Sequence, residues 1–249
     1  MNTALRPIPL SIVTGASRGL GLGLARQLLQ RGHRVLTMQR CPNADLAAEA
    51  AHLEAVIEQW SVDLTRPAEA AAQLNAWLRN LPRADIASLH LINNAALLVE
   101  PGPVSTAQAE AVTHAMRASL EAPMLLTAAF LAASADLTVP RKVLNISSGL
   151  GRFAMAGSAV YCAAKAGLDH FSRAVALEEA ERLHGARIVS LAPGIIDTTC
   201  RCNCAGPTRL AFPARADSPA SRHRVNSTAS MPPLPRCWPV WTPSISARR

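Results

Sequence analysis

Eight residues near the amino terminus, Thr14-Gly15-Ala16-Ser17-Arg18-Gly19-Leu20-Gly21, decide the fold class of this 249-residue chain. They follow a short apolar segment at residues 10–13 and lead into residues 20–31, where apolar side chains recur on one stripe of a helix. The first glycine permits a tight turn, and the two later glycines let the backbone approach a phosphate group at the helix amino terminus. A strand, a glycine-rich loop and a helix in this order favour a dinucleotide site over a simple tight turn.

The chain as far as residue 198 alternates between short apolar segments and longer segments rich in alanine and leucine. This alternation predicts an α/β fold, a doubly wound parallel sheet of the Rossmann type with helices on both faces. Pro123 is expected to kink the third predicted helix, because proline lacks the amide hydrogen of an uninterrupted helix. The predicted strands are residues 10–13, 34–38, 55–62, 88–93, 143–147 and 187–192, and the predicted helices are residues 20–31, 68–81, 107–135 and 156–183.

Charge and composition change abruptly after residue 198. Residues 199–249 hold eight Arg and one acid, so most of the net charge of +8 belongs to this tail. The tail also contains eight prolines and four of the six cysteines, without helical or strand periodicity. We therefore predict a Rossmann-type domain at residues 1–198 and an irregular Pro/Arg/Cys-rich tail that is disordered or derived from a frameshift. The sheet is then expected to lack its last strand and C-terminal helix.

The composition also excludes several classes of function. Because the excess charge lies in the tail rather than on a folded face, nucleic-acid binding is not expected. Cys200, Cys202 and Cys204 lack the paired spacing of thiolate metal sites, so no metal is expected. The chain has neither an apolar run of about 18 residues nor an export signal. Because Cys41 and Cys162 are also far apart in the chain, we predict a cytoplasmic protein with reduced thiols and no membrane association.

Three polar residues form a candidate catalytic group. Tyr161 and Lys165 are four residues apart and therefore share one face of a helix. A nearby ammonium stabilises a phenolate and lowers the pKa of the tyrosine, which makes proton exchange with a carbonyl feasible near neutral pH. Ser148 follows a predicted strand at the edge where parallel sheets open a crevice, and its hydroxyl can orient a carbonyl group there.

The end of the second strand bears on the choice of cofactor. Enzymes that use NAD usually place an acid here to bind the ribose 2′-hydroxyl. This chain has Met38-Gln39-Arg40 instead, and the glycine-rich loop adds Arg18. Two cations beside the ribose favour a 2′-phosphate, so NADP(H) is predicted over NAD(H) unless both arginines are simply solvated.

These motifs together resemble the short-chain dehydrogenase/reductase family over residues 8–198. The resemblance rests on the glycine-rich loop, on Asn93-Asn94-Ala95-Ala96, on Ile146-Ser147-Ser148-Gly149 and on the pair of Tyr161 and Lys165. The stretches from Tyr161 to Asp169 and from Leu120 to Met124 look most like the benzil reductase and sepiapterin reductase branch. The resemblance implies NADPH-dependent reduction of a ketone or 1,2-diketone, a small-molecule carbonyl substrate, to a secondary alcohol.

The resemblance also implies a role for each matching residue. Tyr161 would be the acid–base, Lys165 would lower its pKa and hold the nicotinamide ribose, and Ser148 would position the carbonyl. Ser119 stands where the family has an asparagine in a water relay, so a slower enzyme is expected in which the serine still binds a water. The implied cofactor contacts are Gly15, Ser17, Arg18, Gly19, Leu20, Gly21, Arg40, Asp63, Leu64, Asn93, Ala95, Tyr161, Lys165, Pro193, Gly194, Ile196 and Thr198.

The departures from the family pattern leave a second reading open. Ser119 and the unusual tail are also compatible with a truncated Rossmann protein that binds NADP(H) but is catalytically impaired. Cofactor binding without turnover on any carbonyl would favour that reading. The specific carbonyl substrate and the existence of a homo-oligomer are left open by the sequence.

Overall fold

Six parallel strands form the centre of the protein in a computed structural model that describes residues 7–194. The order across the sheet is β3-β2-β1-β4-β5-β6, and every neighbouring pair runs parallel. The carboxyl ends of all six strands therefore lie along one edge. The strands are β1 (Ile8–Thr14), β2 (Arg34–Gln39), β3 (Ile57–Ser61), β4 (Ile86–Asn93), β5 (Arg141–Ile146) and β6 (Arg187–Leu191).

Helices connect the strands and cover both faces of the sheet. They are α1 (Gly19–Gln30), α2 (Ala44–His52), α3 (Pro67–Arg79), α4 (Ala109–Met116), α5 (Ala122–Ala133) and α6 (Ala159–Ala180). Side chains alternate between the faces along each strand, so Leu10 and Ile12 of β1 pack with α3 and α5 whereas Val13 packs with α1 and α2. The two buried clusters, one on each face, hold the glycine-rich loop and the later strand ends in fixed positions.

The predicted doubly wound parallel sheet is confirmed within residues 7–194, and each predicted strand lies at its expected place. One helix, α2, is absent from the sequence prediction. The predicted boundary at residue 198, the missing last strand and helix, and the tail fall outside the described residues.

The third predicted helix is divided rather than continuous. A π-helical turn, Arg117–Glu121, separates α4 from α5, and Pro123 occupies the first turn of α5. A wider turn is a physical response to proline, which can neither donate a backbone hydrogen bond nor fit against the preceding carbonyl groups. The expected disturbance at Pro123 therefore takes the form of a π-turn that carries Ser119.

Candidate active site

The glycine-rich loop has no room for side chains at two of its glycines. A Cβ atom on Gly15 would lie 2.9 Å from the Cα atom of Ala95, and one on Gly21 would collide with the Asn94 amide and the Gly15 carbonyl. Gly15 and Gly19 also adopt the left-handed region, with φ of 69° and 58°. The loop thus lies directly against the segment that follows β4.

Thr14 and Asn94 clamp the loop to that segment. The Thr14 hydroxyl accepts hydrogen bonds from the backbone N–H groups of Asn94 and Ala95, both at 3.0 Å. The Asn94 side chain donates to the carbonyl oxygens of Thr14 and Gly15 at 3.0 and 3.2 Å. Sequence reasoning missed both roles, although Thr14 begins the glycine-rich loop motif and Asn94 is the second residue of the motif at the end of β4.

The start of α1 fits the pyrophosphate of a dinucleotide. Its first turn contains no acidic residue, and Arg18, the residue at its N-cap, makes no side-chain capping bond within the described residues. The positive end of the helix dipole and its free N–H groups therefore face the loop. An anion brought close by the glycines would satisfy these donors, so Gly19, Leu20 and Gly21 can hold a phosphate group.

The ends of β2 and β3 form the side where the adenosine is predicted. Arg40 is exposed directly after β2, and Arg18 is exposed in the loop. After β3, the backbone N–H of Thr65 donates to the exposed Asp63 carboxylate at 2.9 Å and lowers the pKa of that carboxyl. Leu64 beside it is buried.

Two predicted cofactor residues make contacts within the protein. Asn93 is 2% exposed, and its amide donates to Asn145 at 2.8 Å and to Thr127 at 3.2 Å. It therefore joins β4 to β5 and α5. The Ser17 carbonyl accepts from the side chain of Asn43 at 3.0 Å, which ties the loop to the start of α2. Their cofactor contacts remain predictions.

The predicted catalytic pair, Tyr161 and Lys165, lies on α6 beside the carboxyl end of β5. Lys165 is 2% exposed, and its ammonium donates to the carbonyl oxygen of Ile146 at 2.7 Å. The same nitrogen lies 5.6 Å from the centroid of the Tyr161 ring. This arrangement fixes a buried positive charge next to the phenol, which is the electrostatic environment that a tyrosine needs to act as an acid–base.

Ser148 lies two residues beyond the Ile146 carbonyl that Lys165 contacts. Its hydroxyl accepts from the Leu150 N–H at 3.2 Å and caps the short 3₁₀ turn Gly149–Gly151. The structure therefore holds Ser148 and Lys165 at the same strand end.

Ser119 has a different environment from the one expected. It is buried in the π-turn, where its hydroxyl accepts from the Leu97 N–H at 2.9 Å and donates to the Leu97 carbonyl at 3.1 Å. A hydroxyl has one proton to donate, and Ser119 uses it on the backbone. The side chain thus anchors the segment after β4, and only an acceptor lone pair is left for the water that the sequence analysis assigned to it.

The last predicted contacts follow β6. Pro193 and Gly194 lie beyond the end of the strand, and Gly194 has φ of 80°, a left-handed conformation that turns the chain. Ile196 and Thr198 fall outside the described residues, so their predicted cofactor contacts stay predictions.

The described residues also bear on metal binding and on membrane insertion. Between residues 7 and 194, no group of three or more His, Cys, Asp or Glu side chains is arranged to hold a metal ion. None of the helices in the same range is long and apolar enough to cross a membrane.

Comparison with known proteins shows clear relatives along most of the chain. The family model described as short chain dehydrogenase matches residues 10–205. A benzil reductase of the (S)-benzoin-forming type from Bacillus cereus is 34% identical over 187 residues, 75% of this chain and 75% of that protein. These matches confirm the resemblance inferred from the motifs, including the benzil reductase branch.

Two solved structures have a similar fold. A short-chain dehydrogenase/reductase from Burkholderia vietnamiensis is 37% identical, with a TM-score of 0.68, over 86% of this chain and 97% of that one. A metagenomic short-chain oxidoreductase solved in complex with NADP is 30% identical, with a TM-score of 0.67, over 76% of this chain and 83% of that one.

Proposed function

Because this chain belongs to the short-chain dehydrogenase/reductase family, as the match over residues 10–205 shows, we propose that it is an NADPH-dependent reductase of ketones or 1,2-diketones. The observation that carries the proposal is the pairing of the buried Lys165 ammonium with the Tyr161 ring at the strand end that presents Ser148. The benzil reductase from Bacillus cereus, whose name specifies a 1,2-diketone, supports this substrate class.

In this proposal the chain's own residues orient the carbonyl oxygen and protonate it. The Ser148 hydroxyl donates to the oxygen and orients it, and the Tyr161 phenol then protonates it as negative charge develops. The Lys165 ammonium stabilises the resulting phenolate, which regains a proton from water. NADPH, which the glycine-rich loop from Gly15 to Gly21 would hold, would supply the hydride for the carbonyl carbon, so the product would be a secondary alcohol.

The preference for NADP(H) rests on charge. No acidic side chain comes directly after β2, whereas Arg40 and Arg18 are both exposed beside the predicted ribose position. A 2′-phosphate can form charge-assisted hydrogen bonds with such guanidinium groups. The structural relative solved with NADP supports the same choice. We also propose a cytoplasmic enzyme, in line with the free thiols of Cys41 and Cys162.

The test is the rate of NADPH oxidation in the presence of benzil, measured for the parent chain and for Tyr161→Phe. Loss of the phenol proton should lower kcat by about 10²- to 10⁴-fold, the usual contribution of a general acid. Cys162→Ser changes the next residue of the same helix and should keep the parent rate.

Two outcomes would contradict the proposal. If Tyr161→Phe reduces benzil as fast as the parent, Tyr161 is not the proton donor. If the parent binds NADPH but reduces no ketone or diketone, the chain is the catalytically impaired binding protein that the position of Ser119 leaves open.

A further inference from the structure

Asp169 is a buried acid that the proposed chemistry does not use. It follows Lys165 by one turn of α6 and is 2% exposed. The Ser190 hydroxyl of β6 donates to its Oδ1 at 2.5 Å, and the Arg152 guanidinium lies 3.5 Å from its Oδ2. An isolated carboxylate in such a place would be costly, so its neighbours must stabilise the charge.

The environment keeps this carboxyl ionised. Burial alone would raise the pKa of Asp169, but the Ser147 and Ser190 hydroxyls and the charges of Arg152 and Arg173 hold it below its usual value. The Ser147 hydroxyl is buried, and neither it nor the Asp169 Oδ2 atom makes a hydrogen bond of ordinary geometry within residues 7–194. Asp169 is therefore an anion to which side chains from several elements are directed.

These partners come from the segments that carry the active site. Ser147 immediately precedes Ser148, Arg152 follows the 3₁₀ turn that Ser148 caps, and Ser190 lies on β6 just before Pro193. At Gly151 an added Cβ would lie 3.0 Å from Asp169 Oδ2 and 3.0 Å from the Lys165 carbonyl oxygen. The turn after Ser148 thus packs directly on the part of α6 between Lys165 and Asp169.

We propose that Asp169 is a positioning residue, which holds the Ser148 turn and β6 against the helix that carries Tyr161 and Lys165. It touches no reacting atom in this proposal. The kinetic part rests on the proposed function, since a small misplacement of catalytic groups costs rate rather than substrate binding.

The kinetic test compares Asp169→Asn and Ser190→Ala with Glu179→Gln in the full chain. Glu179 lies on the same helix and is equally buried, but it contacts Arg141 at the start of β5, the opposite edge of the sheet. Asp169→Asn should lower kcat on benzil by about 10- to 100-fold, and its KM should stay within about threefold. Ser190→Ala should change kcat in the same direction, and Glu179→Gln should keep kcat per folded molecule.

A spectroscopic test separates this inference from the proposed function. Tyr161 is the single tyrosine of the chain, so the near-ultraviolet tyrosinate absorbance titrates this residue alone. If Asp169→Asn displaces Lys165 from Tyr161, the titration midpoint should rise. Removal of a negative charge by itself would instead lower it, because a nearby anion disfavours a phenolate.

The titration midpoint and kcat of the variants together test the positioning role of Asp169. A raised midpoint in Asp169→Asn with an unchanged one in Glu179→Gln supports it, even if the parent chain reduces no carbonyl and the proposed function fails. An unchanged or lowered midpoint overturns it, as does a loss of kcat no greater than that of Glu179→Gln. If Asp169→Asn does not fold, the same comparison is made with Ser190→Ala.

Discussion

At the scale of single residues, two glycines of α1 lie two positions apart, on different faces of the helix, and differ in the space around them. A methyl group on Gly21 would meet Asn94 and the backbone oxygen of Gly15, whereas nothing lies within 4 Å of one on Gly23. Gly21→Ala should lower the free energy of unfolding by about 1–3 kcal/mol, because the loop backbone must move. Gly23→Ala should raise it by about 0.5–1 kcal/mol, since alanine favours a helix.

Urea denaturation followed by circular dichroism measures both changes. Binding of NADPH should be weakened in Gly21→Ala and retained in Gly23→Ala. Equal stability of the two variants would show that the loop does not press against Asn94 as the structure describes.

A pair of histidines makes the stability of the sheet sensitive to acid. His90 on β4 and His33 before β2 both contact the buried Ser11 hydroxyl, with their rings 5.5 Å apart. Burial, together with the charges of His33 and Lys142, lowers the pKa of His90 from 6.5 to about 4. The unfolded chain therefore binds a proton at His90 in a pH range where the folded chain does not.

The free energy of unfolding should therefore decrease as the pH falls. The contribution of His90 to stability is fully present above pH 6.5 and is lost progressively as the pH falls towards about 4. His90→Gln should reduce this decline in urea unfolding curves recorded from pH 7 to pH 4.5, whereas replacement of the exposed His52 should leave it unchanged. If the free energy of unfolding of His90→Gln falls as much as that of the parent chain, other groups are responsible for the acid sensitivity.

At the scale of elements, a buried ion pair joins the end of α6 to the start of β5. Arg141 and Glu179 have side chains 2% and 4% exposed with 3.6 Å between their charged groups, and Glu179 also accepts from the Ala186 N–H at 2.8 Å. Glu179→Ala leaves Arg141 buried without this partner and should cost about 3–5 kcal/mol of unfolding free energy. Thermal and urea denaturation should both show the loss.

Arg182 provides the control for this pair. Its side chain is 57% exposed and contacts the same Glu179 carboxylate at 3.1 Å. Because exposed pairs contribute little, Arg182→Ala should change stability by no more than about 1 kcal/mol. Similar losses of unfolding free energy in Arg182→Ala and Glu179→Ala would mean that burial of the ion pair does not determine how much stability is lost.

Elements with a strong periodic pattern could be predicted from the sequence, and α2 shows why one could not. Only Leu46 and Ala50 of this nine-residue helix are buried, which is too few to mark an apolar stripe. Its start signal was present, because the Asn43 side chain accepts from the Leu46 N–H as an N-cap. Next to Cys41-Pro42, however, this asparagine is also typical of a loop.

In the candidate site, too, local spacing could be predicted from the sequence, whereas contacts between distant segments could not. Tyr161 and Lys165 share a helical turn, so their spacing alone places them together. The clamp between Thr14 and Asn94 joins residues 80 positions apart, and the environment of Asp169 joins α6 to β6. Such contacts depend on the packing of distant segments, and no local pattern in the sequence encodes them.

At the scale of the whole molecule, parallel pairing brings the separate motifs to one edge of the sheet. The glycine-rich loop follows β1, Asn94 follows β4, Ser148 follows β5 and Pro193 follows β6. Each lies at the carboxyl end of its strand, and β1, β4, β5 and β6 are consecutive neighbours in the sheet. A parallel sheet presents its binding crevice at this edge, so a dinucleotide bound there would contact several segments at once.

Such a ligand should stabilise the entire folded chain, and the gain should depend on the 2′-phosphate. A ligand at 100 times its Kd adds about 2.7 kcal/mol when only the folded state binds it, which for a protein of this size raises Tm by about 5–10 °C. At a concentration where NADP⁺ raises Tm by this amount, the same concentration of NAD⁺ should raise it less.

The Arg40→Ala variant should show a smaller difference in Tm between NADP⁺ and NAD⁺. The control is Arg79→Ala, which replaces an exposed arginine at the far end of α3 and should leave that difference unchanged. Equal rises in Tm with NADP⁺ and NAD⁺ in the parent chain would contradict the preference for NADP(H). They would not bear on the role of Tyr161, which the rate of NADPH oxidation in Tyr161→Phe tests separately.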